Sequence, residues 1–528
     1  MLRRASLLLF ALLSACGPSQ PSALQLPGCE GQPRSRCVRS LSMGDRFGCA
    51  LLGDGTAWCW GRNDESQLGY ESSDLCPERQ SNGQTRGVAC HKAPQQVGGV
   101  RDAVAVSAGS SHVCVLTAAK VVRCWGSNTT GQLGNGATLP SVAAVNVSGV
   151  EDASAIASGA RHTCVVVRGA VFCWGSNERG QLGVESTGAR CASGEELISC
   201  SRTPVRVPML TDVVALSAGD EHTCAQTMRG EVHCWGTNSN GELGRGTAGA
   251  TVEPRPAPVL LGTGPLTRVR SLVAGGHHTC VHREDGAVLC WGSSESGQLG
   301  VSVPTAPHEP CAGPCIDSPV AVEGFEGNGS SDPDVAEPDA TTPDATTPDA
   351  GGFDGRSSDG GADGRSSDGG AADASRPPLM DASVDGARPP TDGSADADAA
   401  RPPSMDASAA DSGATVLPTA VASSVAAGAA FTCVHTTDGT VRCFGANRSG
   451  ELGSGRVDEG GPTISNVIAS PGSAPTNPLQ GVRSIEAGSS TTCVVLNDRS
   501  ARCWGSNESG ALGNGTLSEH FGPVAVTW

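Results

Sequence analysis

Paired cysteines at a nearly constant spacing are the residues of this sequence that are best placed to carry chemistry. The chain has 23 cysteines in 528 residues. In the stretch HTCVVVRGAVFCWGSNERGQLG, residues 162–183, Cys164 and Cys173 lie nine positions apart around Arg168-Gly169. Six further pairs are ten positions apart: Cys49 with Cys59, Cys114 with Cys124, Cys224 with Cys234, Cys280 with Cys290, Cys433 with Cys443, and Cys493 with Cys503. Such pairs suit a metal site, a redox site or a structural disulfide.

The turns between the paired cysteines favour structural disulfides. Each pair flanks a short turn between two alternating runs, which is the signature of a β-hairpin. A two-residue turn separates opposite partners by an odd number of positions, and a three-residue turn such as Thr437-Asp438-Gly439 by an even number. Both arrangements place the cysteines directly across the hairpin, at the close approach that a disulfide needs. A zinc site would need paired short spacings, and no C-x-x-C occurs in the sequence.

Nine cysteines lie outside these hairpins. Eight of them form four local pairs: Cys29 with Cys37, Cys76 with Cys90, Cys191 with Cys200, and Cys311 with Cys315. The ninth is Cys16, which remains after local pairing. We therefore predict eleven disulfides and one cysteine with another role.

The cysteine hairpin belongs to a unit that occurs seven times. The units begin at seven glycines: Gly44, Gly109, Gly159, Gly219, Gly275, Gly428 and Gly488. A run of small residues such as AVSAG precedes the hairpin, and a run with Pro and Val, such as PVRV, follows a variable loop. Four strands in each of seven units predict an all-β fold, a seven-bladed β-propeller of four-stranded units. The small residues of the first run suit the strand nearest a crowded central axis.

A tryptophan follows the second cysteine of nearly every hairpin. The positions are Trp60, Trp125, Trp174, Trp235, Trp291 and Trp504, with Phe444 in the sixth unit. One aromatic ring in every unit is typical of packing between neighbouring blades rather than of stacking on a ligand.

The run WGSNxxGQLG, preceded by GxxHTC and a hairpin, resembles the regulator of chromosome condensation repeat family. All seven units match, over most of residues 38–527 apart from one insert. The resemblance implies a seven-bladed propeller. Some relatives are exchange factors for a small GTPase, but no exchange-factor wedge maps onto residues of this chain. Some exported bacterial relatives bind and inhibit enzymes, which favours protein binding and leaves the target open.

The N-terminus has the pattern of an export signal. Arg3 and Arg4 precede an apolar run from Leu7 to Leu13, which is too short to span a membrane as a stable helix. The following Leu-Ser-Ala-Cys resembles the bacterial lipobox, which implies cleavage before Cys16 and lipidation of its thiol. An ordinary signal peptide cut nearby is the alternative. Export agrees with the predicted disulfides, because these persist outside the reducing cytosol. We expect a lipid-anchored envelope protein, in the outer membrane of a Gram-negative host.

Composition changes sharply after residue 327. Residues 328–415 are rich in Asp, Ala, Pro, Gly and Ser and contain 18 acidic and 5 basic residues, so they carry −13 of the chain's net charge of −18. No calcium loop is present, and we predict a disordered, solvated linker between units five and six. The predicted segments are therefore a signal peptide (1–15), a tether (16–37), five propeller units (38–327), the insert (328–415) and two further units (416–528).

Other chemistry finds little support in the sequence. His112, His162, His222 and His278 occupy one repeated position, where Gly48, Phe431 and Thr491 stand in other units. A ring of histidines suits a metal, but a residue fixed by a repeat is more often a structural hydrogen-bonding group. No basic patch predicts nucleic-acid binding, and no P-loop, nucleophile elbow or H-E-x-x-H is present. We predict no catalytic residue, no metal and no cofactor.

Two hypotheses for function follow. The first is a non-catalytic protein-binding or scaffold module of the bacterial cell envelope, monomeric and with a protein partner still to be identified. The second is a hydrolase or lyase of envelope polysaccharide, which requires a cluster of carboxylates on one face. A guanine-nucleotide exchange factor, by family analogy, ranks below both.

Three lengthened loops define a candidate binding face. They follow the Gln-Leu-Gly runs of units one, three and five, and carry the pairs Cys76 with Cys90, Cys191 with Cys200, and Cys311 with Cys315. Equivalent loops of a propeller emerge on one face, and a loop braced by a disulfide loses less entropy on binding. Side chains of types common in interface hot spots lie in or beside these loops: Tyr70, Arg79, Arg86, Arg190 and Arg202. Neutral loop insertions are the alternative.

The cysteine pattern predicts eleven disulfides in the purified exported protein, seven within hairpins and four in loops, because 22 cysteines pair locally once Cys16 is set apart. Each bond closes a short loop and should stabilise the fold by about 2 to 3 kcal/mol through the unfolded chain. Peptide mapping by mass spectrometry under non-reducing conditions measures the pairing. Free thiols or long-range pairs would contradict the assignment.

Overall fold

The computed structural model describes residues 37–79, 83–194, 196–249, 252–302, 311, 313–325, 327, 421–474 and 476–528. Contacts divide the chain into two units, Met1–Glu337 with Leu417–Trp528, and Pro338–Val416. All described residues belong to the first unit. The predicted signal peptide, the lipidation of Cys16, the tether up to residue 36 and the acidic insert lie outside the described residues.

The described residues form 32 β-strands, and every strand pairing among them is antiparallel. No helix that could cross a membrane occurs in this part of the chain. Seven sheets of four or five strands and one two-stranded ribbon account for all the strands described. The predicted all-β fold, a seven-bladed β-propeller, is confirmed.

Each blade is built from one continuous stretch of sequence. The first four blades and the ribbon contain β1 (Val38–Met43), β2 (Phe47–Leu52), β3 (Ala57–Arg62), β4 (Leu75–Arg79) and β5 (Thr85–Gln96); β6 (Ala103–Ala108), β7 (His112–Thr117), β8 (Val122–Gly126) and β9 (Ser141–Asn146); β10 (Ala153–Ser158), β11 (His162–Val167), β12 (Ala170–Ser176), β13 (Ala189–Ser193) and β14 (Glu196–Arg206); β15 (Val213–Ala218), β16 (His222–Thr227), β17 (Val232–Thr237) and β18 (Val252–Pro258); and the ribbon β19 (Leu260–Leu261) and β20 (Gly264–Pro265). The last three blades contain β21 (Val269–Ala274), β22 (His278–Arg283), β23 (Val288–Ser293) and β24 (Cys315–Ala321); β25 (Ala422–Ala427), β26 (Phe431–Thr436), β27 (Val441–Gly445) and β28 (Gly461–Asn466); and β29 (Val482–Ala487), β30 (Thr491–Leu496), β31 (Ala501–Gly505) and β32 (His520–Ala525). The acidic insert separates β24 from β25.

The first strand of every blade lies at the axis, where space is smallest. Its last residue and the following glycine line a narrow axial cavity, in the order Met43, Ala108, Ser158, Ala218, Ala274, Ala427 and Ala487. Neighbouring glycines approach very closely here. A β-carbon on Gly109 would lie 2.3 Å from the carbonyl oxygen of Gly159, and one on Gly159 would lie 2.4 Å from that of Gly219. The axis therefore requires small residues and, at the turn, residues without a side chain.

The hairpin cysteines lie directly opposite each other in the strand register, as their spacing predicted. All seven pairs form disulfides with a Cα–Cα distance of 4.1 Å. This short distance is typical of a non-hydrogen-bonded antiparallel pair. The ladder hydrogen bonds of each third-strand cysteine consequently point toward the fourth strand. The bonded pairs are Cys49 with Cys59, Cys114 with Cys124, Cys164 with Cys173, Cys224 with Cys234, Cys280 with Cys290, Cys433 with Cys443, and Cys493 with Cys503.

Adjacent blades are joined by a hydrogen bond from the repeated indole of one blade to a buried carbonyl of the blade before it. Trp174 donates to the carbonyl oxygen of Gln132 over 2.8 Å, and Trp235 donates to that of Gln181 over 2.9 Å. Six of the seven seams in the described propeller carry this bond; the others are Trp60 to Ala511, Trp125 to Gln67, Trp291 to Glu242 and Trp504 to Glu451. All six indoles are fully buried. We call this bond the seam bond.

A threonine and a histidine extend the seam bond. Thr223 donates its hydroxyl to the same Gln181 carbonyl over 3.0 Å, and His162 Nε2 lies 2.8 Å from the Thr223 hydroxyl oxygen. Because the hydroxyl proton is used on the carbonyl, Thr223 can only accept from His162, which places the ring proton on Nε2. His112, His222 and His278 make the same contact to Thr163, Thr279 and Thr432. The histidines are therefore structural hydrogen-bond donors.

One detail of the repeat alignment was wrong. The strand register places Phe47, not Gly48, at the histidine position of the first blade, since Phe47 pairs with Gly61 as His162 pairs with Gly175. The physical reason is that this position must fill the space beside the axial glycine. A phenyl ring does so, because a β-carbon on Gly44 would lie 2.1 Å from Phe47 Cε1.

The ring closes without exchange of a strand between the first and last blades. Trp60 of blade one donates to the Ala511 carbonyl of blade seven over 2.8 Å, the same seam bond that joins blades within the chain. The Val38 amide also donates to the Arg499 carbonyl over 3.2 Å. Trp528 packs edge-on against Trp60, with 6.1 Å between ring centroids. Side-chain packing and seam bonds therefore replace covalent continuity at this junction.

The buried histidines predict a loss of stability in mild acid. Burial, followed by the charges of His112 and His222, lowers the pKa of His162 to about 3. Below the unfolded histidine pKa of about 6.5, the unfolded chain binds a proton that the buried ring of the folded protein does not bind. The stability contributed by a histidine with a lowered folded pKa is therefore present above that pH and is lost as the pH falls below it. Between pH 7 and pH 5 the wild-type protein should lose about 2 kcal/mol more unfolding free energy than His162→Phe, which copies Phe47 and Phe431. Urea unfolding at both pH values measures this difference, and parallel losses in the two proteins would contradict it.

Candidate functional site

One face of the propeller carries the longest connections. Strands alternate in direction, so the turns between first and second strands and the loops between third and fourth strands emerge at the same end. We call this end the hairpin face. In blades one and three the third-to-fourth loops fold into extra hairpins, β4 with β5 and β13 with β14. An ion pair of 2.8 Å between Arg46, in the β1–β2 turn, and Glu78, on β4, joins the two kinds of loop.

Disulfides brace the extra hairpins. Cys76 and Cys90 are bonded with a Cα–Cα distance of 5.8 Å, and Cys191 and Cys200 with the same distance. In blade five Cys311 and Cys315 are bonded at 6.3 Å, while residues 303–310 of that loop lie outside the described residues. The face thus presents two hairpins with restricted shapes.

The remaining predicted pair is described on one side only. Cys37 is disulfide-bonded. Cys29, its predicted partner, lies outside the described residues, so the pairing of Cys29 with Cys37 stays a prediction.

Glu78 is the centre of a charge network at the base of the first hairpin. Its carboxylate accepts hydrogen bonds from Arg46 (2.8 Å), Arg62 (2.7 Å) and Arg86 (3.0 Å). Burial opposes ionisation, but the hydrogen bond from Arg86 and the charges of Arg62 and Arg46 outweigh it and lower the pKa of Glu78. Arg86 was predicted as a candidate residue of the binding face. It is instead partly committed to holding its own hairpin in place.

Tyr70 was wrongly assigned to the binding face. Its ring is only 8% exposed, and its hydroxyl donates to the Cys59 carbonyl over 2.8 Å. The ring also meets His91 edge-on at 5.7 Å. Burial, with a smaller contribution from Asp74, raises the pKa of Tyr70. Tyr70 anchors the start of the long loop and is not available to a partner.

The predicted arginines of the third blade are exposed but differ in their surroundings. Arg190 lies on β13 and donates to the Leu197 carbonyl across its own hairpin over 3.0 Å. Arg202 lies on β14 beside the second blade, where its carbonyl accepts the Gly136 amide over 2.9 Å. The side chain of Arg79 lies outside the described residues.

Exposed apolar side chains on the hairpin face were not predicted. They occur in five different blades: Leu75 (68% exposed), Leu139 (77%), Leu197 (64%), Val252 (40%) and Val457 (45%). Leu75 and Leu197 stand on the two braced hairpins. Large apolar residues within polar loops were the available signal in the sequence, because exposed apolar groups on one face often mark an interaction site.

Two carboxylates of the hairpin face line the axial cavity. Asp45 and Asp220 are the charged residues among those lining the cavity. Burial raises the pKa of Asp220, the charge of His277 lowers it, and Asp45 raises it further. The cavity holds 90 Å³, far below the roughly 300 Å³ of a small-molecule pocket. It accommodates a few water molecules and not a sugar ring.

The histidines are not brought together around a metal. Each lies in a different seam and uses Nε2 on the threonine of the next blade. Within the described residues, no group of three His, Cys, Asp or Glu side chains is arranged to hold a metal ion.

Sequence comparisons identify relatives of this architecture. Residues 14–334 match the family model of the RCC1-like domain, and residues 422–451 and 482–511 match the regulator of chromosome condensation (RCC1) repeat. The mitochondrial RCC1 domain-containing protein RUG3 of Arabidopsis thaliana is 32% identical over 287 residues, which cover 53% of this chain and 59% of RUG3. The ultraviolet-B receptor UVR8 of the same plant is 30% identical over 207 residues, which cover 38% of this chain and 44% of UVR8. The match thus spans about half the length of these relatives.

Solved structures share the fold. Human WBSCR16 superposes with a TM-score of 0.57 at 18% identity, covering 90% of this chain and 94% of WBSCR16. Yeast RCC1 (Prp20), in its crystal structure with Kap60, gives a TM-score of 0.52 at 17% identity and covers 100% of this chain and 91% of that protein. At these identities the likeness shows the propeller architecture alone.

Proposed function

This chain belongs to the RCC1-like domain family, and we propose that it is a non-catalytic protein-binding module whose partner docks on the hairpin face. Protein partners occur among its structural relatives: yeast RCC1 (Prp20) was crystallised bound to Kap60, and Prp20p was studied for binding to Gsp1p and histones. The family supports a protein as the class of partner. The face that receives it must be argued from this chain.

The observation that carries the proposal is the pair of disulfide-braced hairpins with exposed leucines. Leu75 and Leu197 present apolar surface on segments whose shapes are fixed by Cys76–Cys90 and Cys191–Cys200. A preorganised loop loses little conformational entropy when a partner binds. Exposed leucines that make no contribution to the blade cores gain favourable burial in a complex. Both terms favour association at this face.

The cellular setting is part of the proposal. The N-terminal pattern and the lipobox-like Leu-Ser-Ala-Cys around Cys16 support export and lipid anchoring. Ten disulfides among the described residues support an oxidising compartment. We propose the bacterial cell envelope, with the propeller tethered to the outer membrane.

A polysaccharide hydrolase or lyase is less favoured by the site. Such an enzyme requires two carboxylates on either side of a cleft that accepts a sugar ring. Asp45 and Asp220 flank a cavity of 90 Å³, which admits no ring. The glycines that line this cavity also approach one another too closely for it to widen without separation of the blades.

A matched pair of surface substitutions tests the binding face. The partner is first isolated from envelope extracts on the immobilised full-length protein and identified. Leu197→Glu, on the braced hairpin, should weaken binding of that purified partner at least about tenfold, because a charge would replace an exposed apolar side chain that the partner is proposed to bury. Met228→Glu, in the second-to-third turn of blade four and 75% exposed on the opposite face, should leave binding unchanged.

A second comparison addresses the hairpins as units. The β13–β14 hairpin is replaced by the short loop GNGATLPSV of blade two, and the β19–β20 ribbon on the opposite face is shortened as a control. Surface plasmon resonance measures the affinity of both variants, and the thermal midpoint verifies their folding. Loss of binding with the ribbon variant alone would move the site to the opposite face and contradict the proposal.

A further inference from the structure

Among the described residues, the fourth strand is outermost in most of every blade, and most of its outer edge is unpaired. In blades one, three, five and seven, one edge carbonyl (of Lys92, Arg202, Asp317 and Phe521, respectively) accepts an amide from a loop of the blade before it. No further described strand pairs with the outer edge of a fourth strand, except that the N-terminal halves of β5 and β14 pair with β4 and β13. A free edge exposes backbone donors and acceptors that recruit other strands, and proline is one of the means by which proteins prevent this.

The strand register shows that proline occupies the same position on five of the seven outer edges. In each fourth strand this position is the residue immediately before the one that pairs with the third-strand cysteine. In blade three, Val205 pairs with Cys173, so the position is that of Pro204. Blade six has Ile464 at this position but carries Pro462 two residues earlier. Blade two has Ala144, and its β9 is the one fourth strand described that contains no proline. The other five blades have proline there: Pro94, Pro204, Pro256, Pro319 and Pro523.

The protected position is the one whose amide points outward. Cys124 makes a non-hydrogen-bonded pair with Cys114, at a Cα–Cα distance of 4.1 Å, so its ladder bonds point toward Val145 on β9. Successive residues of a strand direct their amides to alternate sides. The Ala144 amide therefore points away from β8 to the free edge. In five sister blades this donor is removed by proline, and in blade two it is retained.

A cleft runs beside the unprotected edge. It has a volume of 590 Å³ and is lined by Val142, Ala144 and Asn146 of β9, by Arg123, and by glycines of the neighbouring blade. The positions where Gly98 and Gly99 would carry a β-carbon are open space, so backbone alone forms that wall. This room suits the side chains of an added strand.

Arg123 gives the cleft its charge. Its guanidinium donates to the Gly99 carbonyl and the Asn146 side-chain oxygen, each over 3.2 Å. No carboxylate of the described chain forms an ion pair with it. The charge therefore remains available to an acidic group that enters the cleft.

We propose that β9 binds an extended peptide segment of a partner protein, which adds to blade two as an outer strand and places an acidic side chain against Arg123. Main-chain hydrogen bonds, including one from the Ala144 amide, supply affinity, and the cleft with Arg123 supplies specificity. A second copy of this chain is a poorer occupant. If two copies paired through their β9 strands, SVAAVN would offer no acidic residue to Arg123. This surface is the outer edge of blade two and not the hairpin face.

The sister blades supply the variant that tests the proposal. Ala144→Pro copies the residue of five other blades, so the blade should remain folded, while the outward donor is lost. The probe is a phage-displayed library of random nonapeptides selected on the full-length wild-type protein. Selected peptides should be rich in β-branched residues with one acidic position, and should bind Ala144→Pro at least about tenfold more weakly in fluorescence polarisation. Ile464→Pro, at the same register of blade six, should bind them like the wild type.

Two further measurements complete the test. Arg123→Glu should reverse the preference from acidic to basic peptides, and bound peptide should slow hydrogen exchange of the Ala144 amide in the wild-type protein. Failure to select peptides, or selected peptides that bind Ala144→Pro as well as the wild type, would overturn the proposal. A wild-type dimer that becomes a monomer in Ala144→Pro, measured by sedimentation velocity, would instead assign the edge to a second copy of the chain.

Discussion

A buried carbonyl oxygen at each seam between blades is the point on which this structure depends. The carbonyls of Gln132 and Gln181 have no ladder partner at the turn, and an indole from the next blade satisfies each of them. A buried carbonyl without a partner costs about 1 to 3 kcal/mol, so each seam is stable only when the neighbouring blade is in register. The seam bond therefore converts a series of small four-stranded sheets, none of which buries both its faces alone, into one closed ring.

The same constraint accounts for residues that do not touch the carbonyl. Thr223 shares the acceptor with Trp235, His162 supports Thr223, and the ring of His162 fills the space that Gly159 leaves by having no β-carbon. Cystines hold the second and third strands together behind this layer. Because blade geometry is fixed in this way, the loops on either face and the outer edges are free to vary. Both candidate binding surfaces occur there, the braced hairpins on one face and the edge of β9 on the circumference.

The sequence predicted what the repeats enforce. Seven copies of a hairpin with opposed cysteines and a following tryptophan were sufficient for the number of blades, the strand order and the small residues at the axis. Features present once were harder to predict. Tyr70 has the side-chain type of an interface residue, but its burial depends on how one long loop returns to blade one. The ion pair of Arg86 with Glu78 could not be predicted, because the two side chains meet only after β4 pairs with β5.

The outer edge of β9, which lacks proline, shows a different limit of prediction from the sequence. Prolines in the fourth runs were visible in the sequence, but their spacing from the tryptophan varies with loop length. Only the register aligns Pro204 and Pro256 with Ala144. The absence of proline from one repeat becomes informative only after the equivalent positions of all seven units are known. No single unit of the sequence reveals those positions.

Hydrogen exchange of the indole N–H groups tests the central role of the seam bond most directly. The Nε1 proton of Trp58, which donates to Thr56 in the same blade over 3.0 Å, is an internal reference. Six seams are reported by the Nε1 protons of Trp60, Trp125, Trp174, Trp235, Trp291 and Trp504. If the seam bonds make the ring one cooperative unit, all six should exchange only through global unfolding, with Trp60 at the closing seam as protected as the other five. Exchange of Trp60 orders of magnitude faster than the others, in two-dimensional NMR spectra at neutral pH, would show that the ring opens between blades seven and one and would contradict this account.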